Sequence, residues 1–153
     1  MKIVIREYCP ADWDSIQRIH DAGRRVELKL AGLEDAFLPL SVAAEREDLF
    51  DYPGIFVAEG DKGVVGFAAC TAEELAWLYV DPVHFREGVG RKLTEFALRQ
   101  FPKIQSIEAL VGNEPARALY ESFGFKVSKT VRGKMPGNED FAVEVYLLER
   151  KDP

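Results

Sequence analysis

A chain of 153 residues with 47% hydrophobic side chains matches one domain of the usual ~100 to 150 residue size, large enough to bury its own core. Residues 1–153 therefore read as a single unit. The formal net charge of −6 and pI near 5.0 argue against a nucleic-acid footprint, which is built from clustered Lys and Arg. Cys9 and Cys70 lie far apart and make no CxxC spacing. No apolar run approaches the ~18 residues of a membrane helix. The expectation is a cytoplasmic protein with neither metal site nor membrane segment.

Ile3 to Arg6 opens with the β-branched run Ile3-Val4-Ile5 between charged flanks, and the segment stops at Pro10, which predicts a first strand. Asp12 offers an N-cap, and Trp13, Ile16, Ile19 and His20 recur at helical spacing, predicting an amphipathic helix that ends near Gly23. A second helix is expected from about Ser41 to Phe50, opened by a Ser N-cap; the rest of Arg24 to Asp51 carries no motif. Gly54 to Gly60 and Gly63 to Cys70 flank Asp61-Lys62 as a hairpin, and Glu74 to Val80 forms the fourth strand. Val89, Leu93, Phe96, Ala97 and Phe101 make one stripe of a long helix that Pro102 ends. Ser106 to Val111 reads as a fifth strand, and Glu114 to Phe123 as a helix closed by Gly124. Phe125 to Val131 and Phe141 to Leu148 complete the chain as strands, joined by a long, mobile-looking RGKMPGNED turn. This order predicts an α/β (α+β) fold: a mixed, mostly antiparallel seven-stranded sheet with helices on both faces.

The richest segment is LAWLYVDPVHFREGVGRKL, Leu75 to Leu93, where a strand breaks at Asp81-Pro82 into a glycine-bearing loop and then a helix. Gly88 and Gly90 let the backbone close on a ligand and aim unpaired N–H groups at it. Arg86, Arg91 and Lys92 add positive charge where the helix dipole already favours an anion. A phosphate-bearing cofactor is the expected occupant. A Rossmann fingerprint fails because its third glycine is replaced by Leu93, and a Walker A loop is absent.

These residues resemble the GNAT superfamily of N-acetyltransferases, whose acetyl-CoA loop reads [Q/R]xxGx[G/A] after a strand ending in V-x-P. Val80-Asp81-Pro82 and Gly88-Val89-Gly90 match it. Asn113, Ala116, Leu119, Tyr120, Gly124 and Phe125 are similar to the family's NxxAxxLYxxxGF helix. The opening Gln or Arg of the loop is replaced by Phe85, with Arg86 one place later.

The resemblance implies an acyltransferase that moves the acetyl group of acetyl-CoA directly to a primary amine. It implies that Leu78 offers its N–H to the thioester oxygen and that Val80 pairs with the pantetheine arm. Arg86, Glu87, Gly88, Val89, Gly90 and Arg91 hold the pyrophosphate, and Asn113 binds the cofactor and orders its helix. It further implies that Tyr120 protonates the leaving thiolate. Glu108 and Glu74 are the alternative general bases, with water alone as a third possibility. Glu108 sits in IEALVGN, similar to a run in protein N-terminal acetyltransferases; Glu74 opens the fourth strand, where histone-type members carry their base. Protein N-termini, lysines, polyamines, aminoglycosides and small amines all remain open as acceptors. Phe37, Leu38, Leu40 and Phe50 are candidates for the acceptor wall or for ordinary core. The alternative function is a non-catalytic acyl-CoA sensor or interaction domain, and the final hairpin is a candidate homodimer surface. His20 reads as a core histidine and His84 as a residue that shapes the loop. Trp77 and Tyr79 are expected to pack against a helix.

Overall fold

The computed structural model describes residues 1–151. Its strands are β1 (Val4–Glu7), β2 (Gly54–Gly60), β3 (Gly63–Cys70), β4 (Glu74–Val80), β5 (Ser106–Leu110), β6 (Lys126–Met135) and β7 (Asn138–Glu149). They form one seven-stranded sheet in the order β1-β2-β3-β4-β5-β7-β6. Every pairing is antiparallel except β4 with β5. Helices α1 (Trp13–Leu30), α2 (Leu40–Arg46), α3 (Val89–Gln100) and α4 (Glu114–Glu121) complete the architecture. Side chains from α1 and α2, such as Ile16, Ile19 and Leu40, bury against Val57, Phe67 and Trp77 on one face. Val89, Leu93, Ala97 and Tyr120 from α3 and α4 bury against Phe56, Ala68 and Leu75 on the other. The predicted α/β class, strand number and two-faced layering are all present.

Four local expectations are corrected. The first helix does not stop at Gly23 but runs on to Leu30. A Cβ at Gly23 would lie 3.3 Å from both the Tyr79 ring and the Val80 carbonyl oxygen, so this glycine admits α1 close against β4. Asp12 does not cap that helix. Its carboxylate instead takes both Nη atoms of Arg6 at 2.9 Å and the Cys9 N–H at 3.0 Å.

The second helix opens at Leu40 behind Pro39 and has no side-chain cap. It ends by Arg46, because Asp48 turns the chain left-handed at φ 51°. The long mobile turn is instead a tight hairpin, with β6 extending to Met135 and β7 starting at Asn138. Contacts remote in sequence hold its tip: Arg46 Nη1 donates to the Gly137 carbonyl and Asn138 Nδ2 to the Ala36 carbonyl, both at 2.9 Å.

The feature that positions the site is a split in the sheet. β4 and β5 pair only at Glu74 with Ser106 and Leu75 with Ile107. Beyond that point β5 continues against β7, and β4 continues against β3 alone. The Asp81 N–H bonds to the Val65 carbonyl at 2.8 Å. Main-chain groups of an antiparallel strand alternate direction, so those of Leu78 and Val80 point away from β3 and into the split.

Candidate active site

From β4 the chain enters a one-turn 3-10 helix at Pro82–His84, and this turn is fastened from both sides. Arg18 Nη1 bonds Asp81 Oδ2 at 2.6 Å, and Asp81 Oδ1 accepts the Val83 N–H at 3.1 Å. The next residues wind left-handed at Arg86 (φ 66°) and Gly88 (φ 83°) before α3 begins. A left-handed turn with no side-chain cap exposes the helix's first amides. Among the described residues, no main-chain N–H from Arg86 to Arg91 donates a hydrogen bond. The loop is therefore a row of unused donors at the positive end of α3, which suits a pyrophosphate. His84 Nδ1 lies 2.9 Å from Glu87 Oε2 and shapes the loop, as expected. Arg91 Nη2 bonds Ser122 Oγ at 3.2 Å, tying α3 to the end of α4.

A cavity of about 710 Å³ runs from this loop into the split. Leu78, Val80, Arg86, Gly88, Val89, Gly90, Arg91, Asn113, Tyr120 and Glu108 all face it, so the structure brings most of the expected residues together. Asn113 caps α4 by accepting the Ala116 N–H at 3.3 Å, and its Nδ2 reaches Glu27 Oε2 at 3.4 Å. Tyr120 is buried on the inner side of α4. Burial first, and the charge of Glu27 second, raise its hydroxyl pKa well above the ordinary phenol value.

A second cavity, of about 160 Å³, opens on the α1 and α2 side. The two share Glu27, Tyr79, Glu108 and Ala109 as lining residues, so they meet at the split. Leu38 is the one candidate wall residue that lines it. Leu40 is in the core, Phe50 packs on Tyr8 and Trp13, and Phe37 lies under Arg25. Trp77, Tyr79 and His20 form one aromatic wall, with Tyr79 edge-on to His20 at 4.8 Å. His20 is buried as expected, and burial lowers its pKa.

Glu74 lines neither cavity. It is half-buried at the closed end of the split, where burial and then the nearby charge of Glu108 raise its pKa. The two glutamates therefore occupy different settings, with Glu108 alone at the junction.

Sequence reasoning missed the charged floor between the cavities. Glu27 Oε1 takes the Tyr79 hydroxyl at 2.9 Å and Arg24 Nη1 at 2.5 Å, while Oε2 takes Asn113. Glu47, at the end of α2, lines the smaller cavity. The signal for Glu27 lay in spacing: if the helix continues past Gly23, then His20, Gly23 and Glu27 fall on one face.

A family model described as an acetyltransferase (GNAT) domain matches residues 51–127, which span the hairpin, the loop, α3 and α4. The chain belongs to the GNAT acetyltransferase family. Its fold is that of solved GNAT structures. A GCN5-related N-acetyltransferase from Rhodopseudomonas palustris is 15% identical with a TM-score of 0.78, covering 99% of this chain and 96% of that one. Apo-form YjaB from Escherichia coli is 25% identical, with a TM-score of 0.66 and 97% coverage of each chain. The PaiA N-acetyltransferase from Thermoplasma acidophilum, solved in complex with coenzyme A, is 18% identical with a TM-score of 0.67 and 99% coverage of each. Within this GNAT chain the family match runs only from residue 51 to residue 127, so it leaves out α1, α2 and all but the first two residues of the β6–β7 hairpin. No described helix is long and apolar enough to cross a membrane.

Proposed function

We propose that this GNAT protein transfers the acetyl group of acetyl-CoA to a primary amine in a single step, without a covalent enzyme intermediate. The observation that carries the reading is the split between β4 and β5, with a cavity running from the unpaired amides of the 86–91 loop to Tyr120. Acetyl-CoA supplies an acetyl thioester at the end of a long, amide-rich arm. The residues fit such a group. The Arg86 to Arg91 amides are free donors for its pyrophosphate, and the split leaves the Val80 and Leu78 main chain open along the arm.

In this reading the Leu78 N–H stabilises negative charge developing on the thioester oxygen, the role of an oxyanion-hole donor. Tyr120 holds its proton firmly, because burial opposes the phenolate, and releases it to the departing sulfur. Asn113 keeps α4 in register with Glu27, and so keeps Tyr120 aimed into the cavity. Glu108, at the junction, draws a cationic acceptor from the smaller cavity toward the split. A reducing cytoplasm suits the free thiols of Cys9 and Cys70.

The test pairs calorimetric titration of acetyl-CoA with release of free thiol in the presence of amines. Tyr120→Phe separates the enzyme from a sensor: the enzyme loses about 100-fold in kcat with acetyl-CoA affinity nearly kept. A sensor binds acetyl-CoA and releases no thiol, whichever amine is added.

A further inference from the structure

The smaller cavity contains a carboxylate that the fold leaves unpaired. Glu47 is half-buried in it, yet among the described residues its side chain makes no hydrogen bond and no ion pair. Its neighbour Glu27 is the opposite case, with Arg24, Tyr79 and Asn113 all bound to it. Arg24, the one arginine in the cavity, is thereby committed to Glu27 and to the Met135 sulfur. Glu108 stands exposed at the mouth. A half-buried carboxylate without a partner is held at a cost, which the counter-charge of a ligand would offset.

The wall behind Glu47 is built to hold it. A Cβ at Gly137, in the β6–β7 tip, would come within 3.1 Å of Glu47 Cγ and 3.3 Å of Oε2. The tip is fixed there by Arg46 and Asn138. The charged and titratable groups around this carboxylate are Arg24, Glu27 and His20 from α1, Tyr52 ahead of β2, Tyr79 from β4, Glu108 from β5 and Glu139 from β7. Carboxylates outnumber the single guanidinium, so the cavity favours a cation over an anion. Apart from Asn138, the remainder of the lining is apolar or aromatic: Leu38, Ala43, Trp77, Leu110 and Val143 among others. A volume of about 160 Å³ is close to the roughly 150 Å³ that accommodates benzene in an apolar cavity.

We propose that Glu47 binds the ammonium group of the acceptor in this cavity and takes its proton, the acceptor being a primary amine on an apolar body about the size of a benzene ring. In the step itself one N–H bond of the ammonium breaks and one O–H bond forms on Glu47. The acceptor is left as the neutral amine that acyl transfer requires, and Glu47 returns the proton to water after the product leaves. Burial, the largest influence on Glu47, raises its pKa to about 7, close to the working pH at which a general base is most effective. The proposal rests on the transferase reading for its second half, but amine binding stands apart from turnover.

The experiment uses phenethylammonium as the probe and the full chain saturated with coenzyme A. Titration of the native protein at pH 8 is expected to show binding that Glu47→Gln weakens at least tenfold. The control variant Glu95→Gln, at an exposed carboxylate of α3 that lines neither cavity, is expected to leave probe affinity unchanged, and the affinity of each variant for coenzyme A stays that of the native protein. Thiol release from acetyl-CoA with phenethylamine is expected to fall about 100-fold in Glu47→Gln, with loss of the limb near pH 7 in kcat/KM. Equal probe affinity in native and Glu47→Gln protein, or no probe binding to native protein, overturns the proposal. Probe binding that depends on Glu47 without any thiol release refutes the transferase reading instead and leaves the site standing.

Discussion

Removing the Glu47 charge should make the protein more stable, and the gain should depend on pH in a defined direction. The carboxyl group moves from its ordinary value of 4.5 to about 7 on folding, chiefly through burial. At ~1.4 kcal/mol for each tenfold change in proton affinity, that displacement is about 3.5 kcal/mol, which solvent screening of a half-buried group reduces to about 3 kcal/mol. The sign follows from proton binding. Between pH 4.5 and 7 the folded state holds a proton on Glu47 that the unfolded chain has released. The stability associated with the neutral group is thus complete below 4.5 and is lost as pH rises through 7.

Glutamine keeps the shape and never ionises, so Glu47→Gln should match native stability near pH 4.5 and exceed it by as much as about 3 kcal/mol at pH 8. In a domain of this length that is roughly 6–12 °C in Tm. Urea unfolding of both proteins at pH 4.5, 6, 7 and 8 measures it directly. A variant that is no more stable than the native protein at pH 8, or a stability difference that does not change with pH, would refute the reasoning that this carboxylate is held at a cost to the fold.

Gly88→Ala should weaken acetyl-CoA binding about tenfold in calorimetry, because φ of 83° strains any other L-residue by about 1–2 kcal/mol and rotates the loop amides. Asn113→Ala should lower Tm by a few degrees through the lost α4 cap, worth ~1 kcal/mol, and should reduce kcat more than it changes acetyl-CoA affinity. Gly137→Ala should reproduce part of the Glu47→Gln defect in amine binding, since its methyl group meets the Glu47 side chain; probe titration at pH 8 reads this.

The parts of the molecule that were legible in the sequence are those whose determinants are local. The Asp61-Lys62 turn between two apolar runs, the breaks at Asp81-Pro82 and Pro102, and Gly124 at φ 91° behind α4 each act over a few residues. The cofactor side of the site is local in the same sense: Gly88, the N-terminus of α3, Asn113 and Tyr120 form two short motifs. What was not legible depends on contacts between distant segments. Gly23 reads as a helix stop unless β4 is known to lie against it. The β6–β7 turn reads as mobile unless Arg46 and Ala36 are known to grip its tip. Arg24, Glu27 and Glu47 are ordinary charges on amphipathic helices until the sheet splits beside them. Nothing in their spacing marks Glu27 as satisfied and Glu47 as unpaired.

The central claim is that the split sheet holds acetyl-CoA and passes its acetyl group to an amine. Calorimetric titration of acetyl-CoA into the native protein, with thiol release then followed across a panel of small apolar amines and peptide N-termini, tests it most directly. The account predicts one-to-one binding and thiol release that requires an amine and falls about 100-fold in Tyr120→Phe. Absence of acetyl-CoA binding, or thiol release indifferent to both amine and Tyr120, would contradict it.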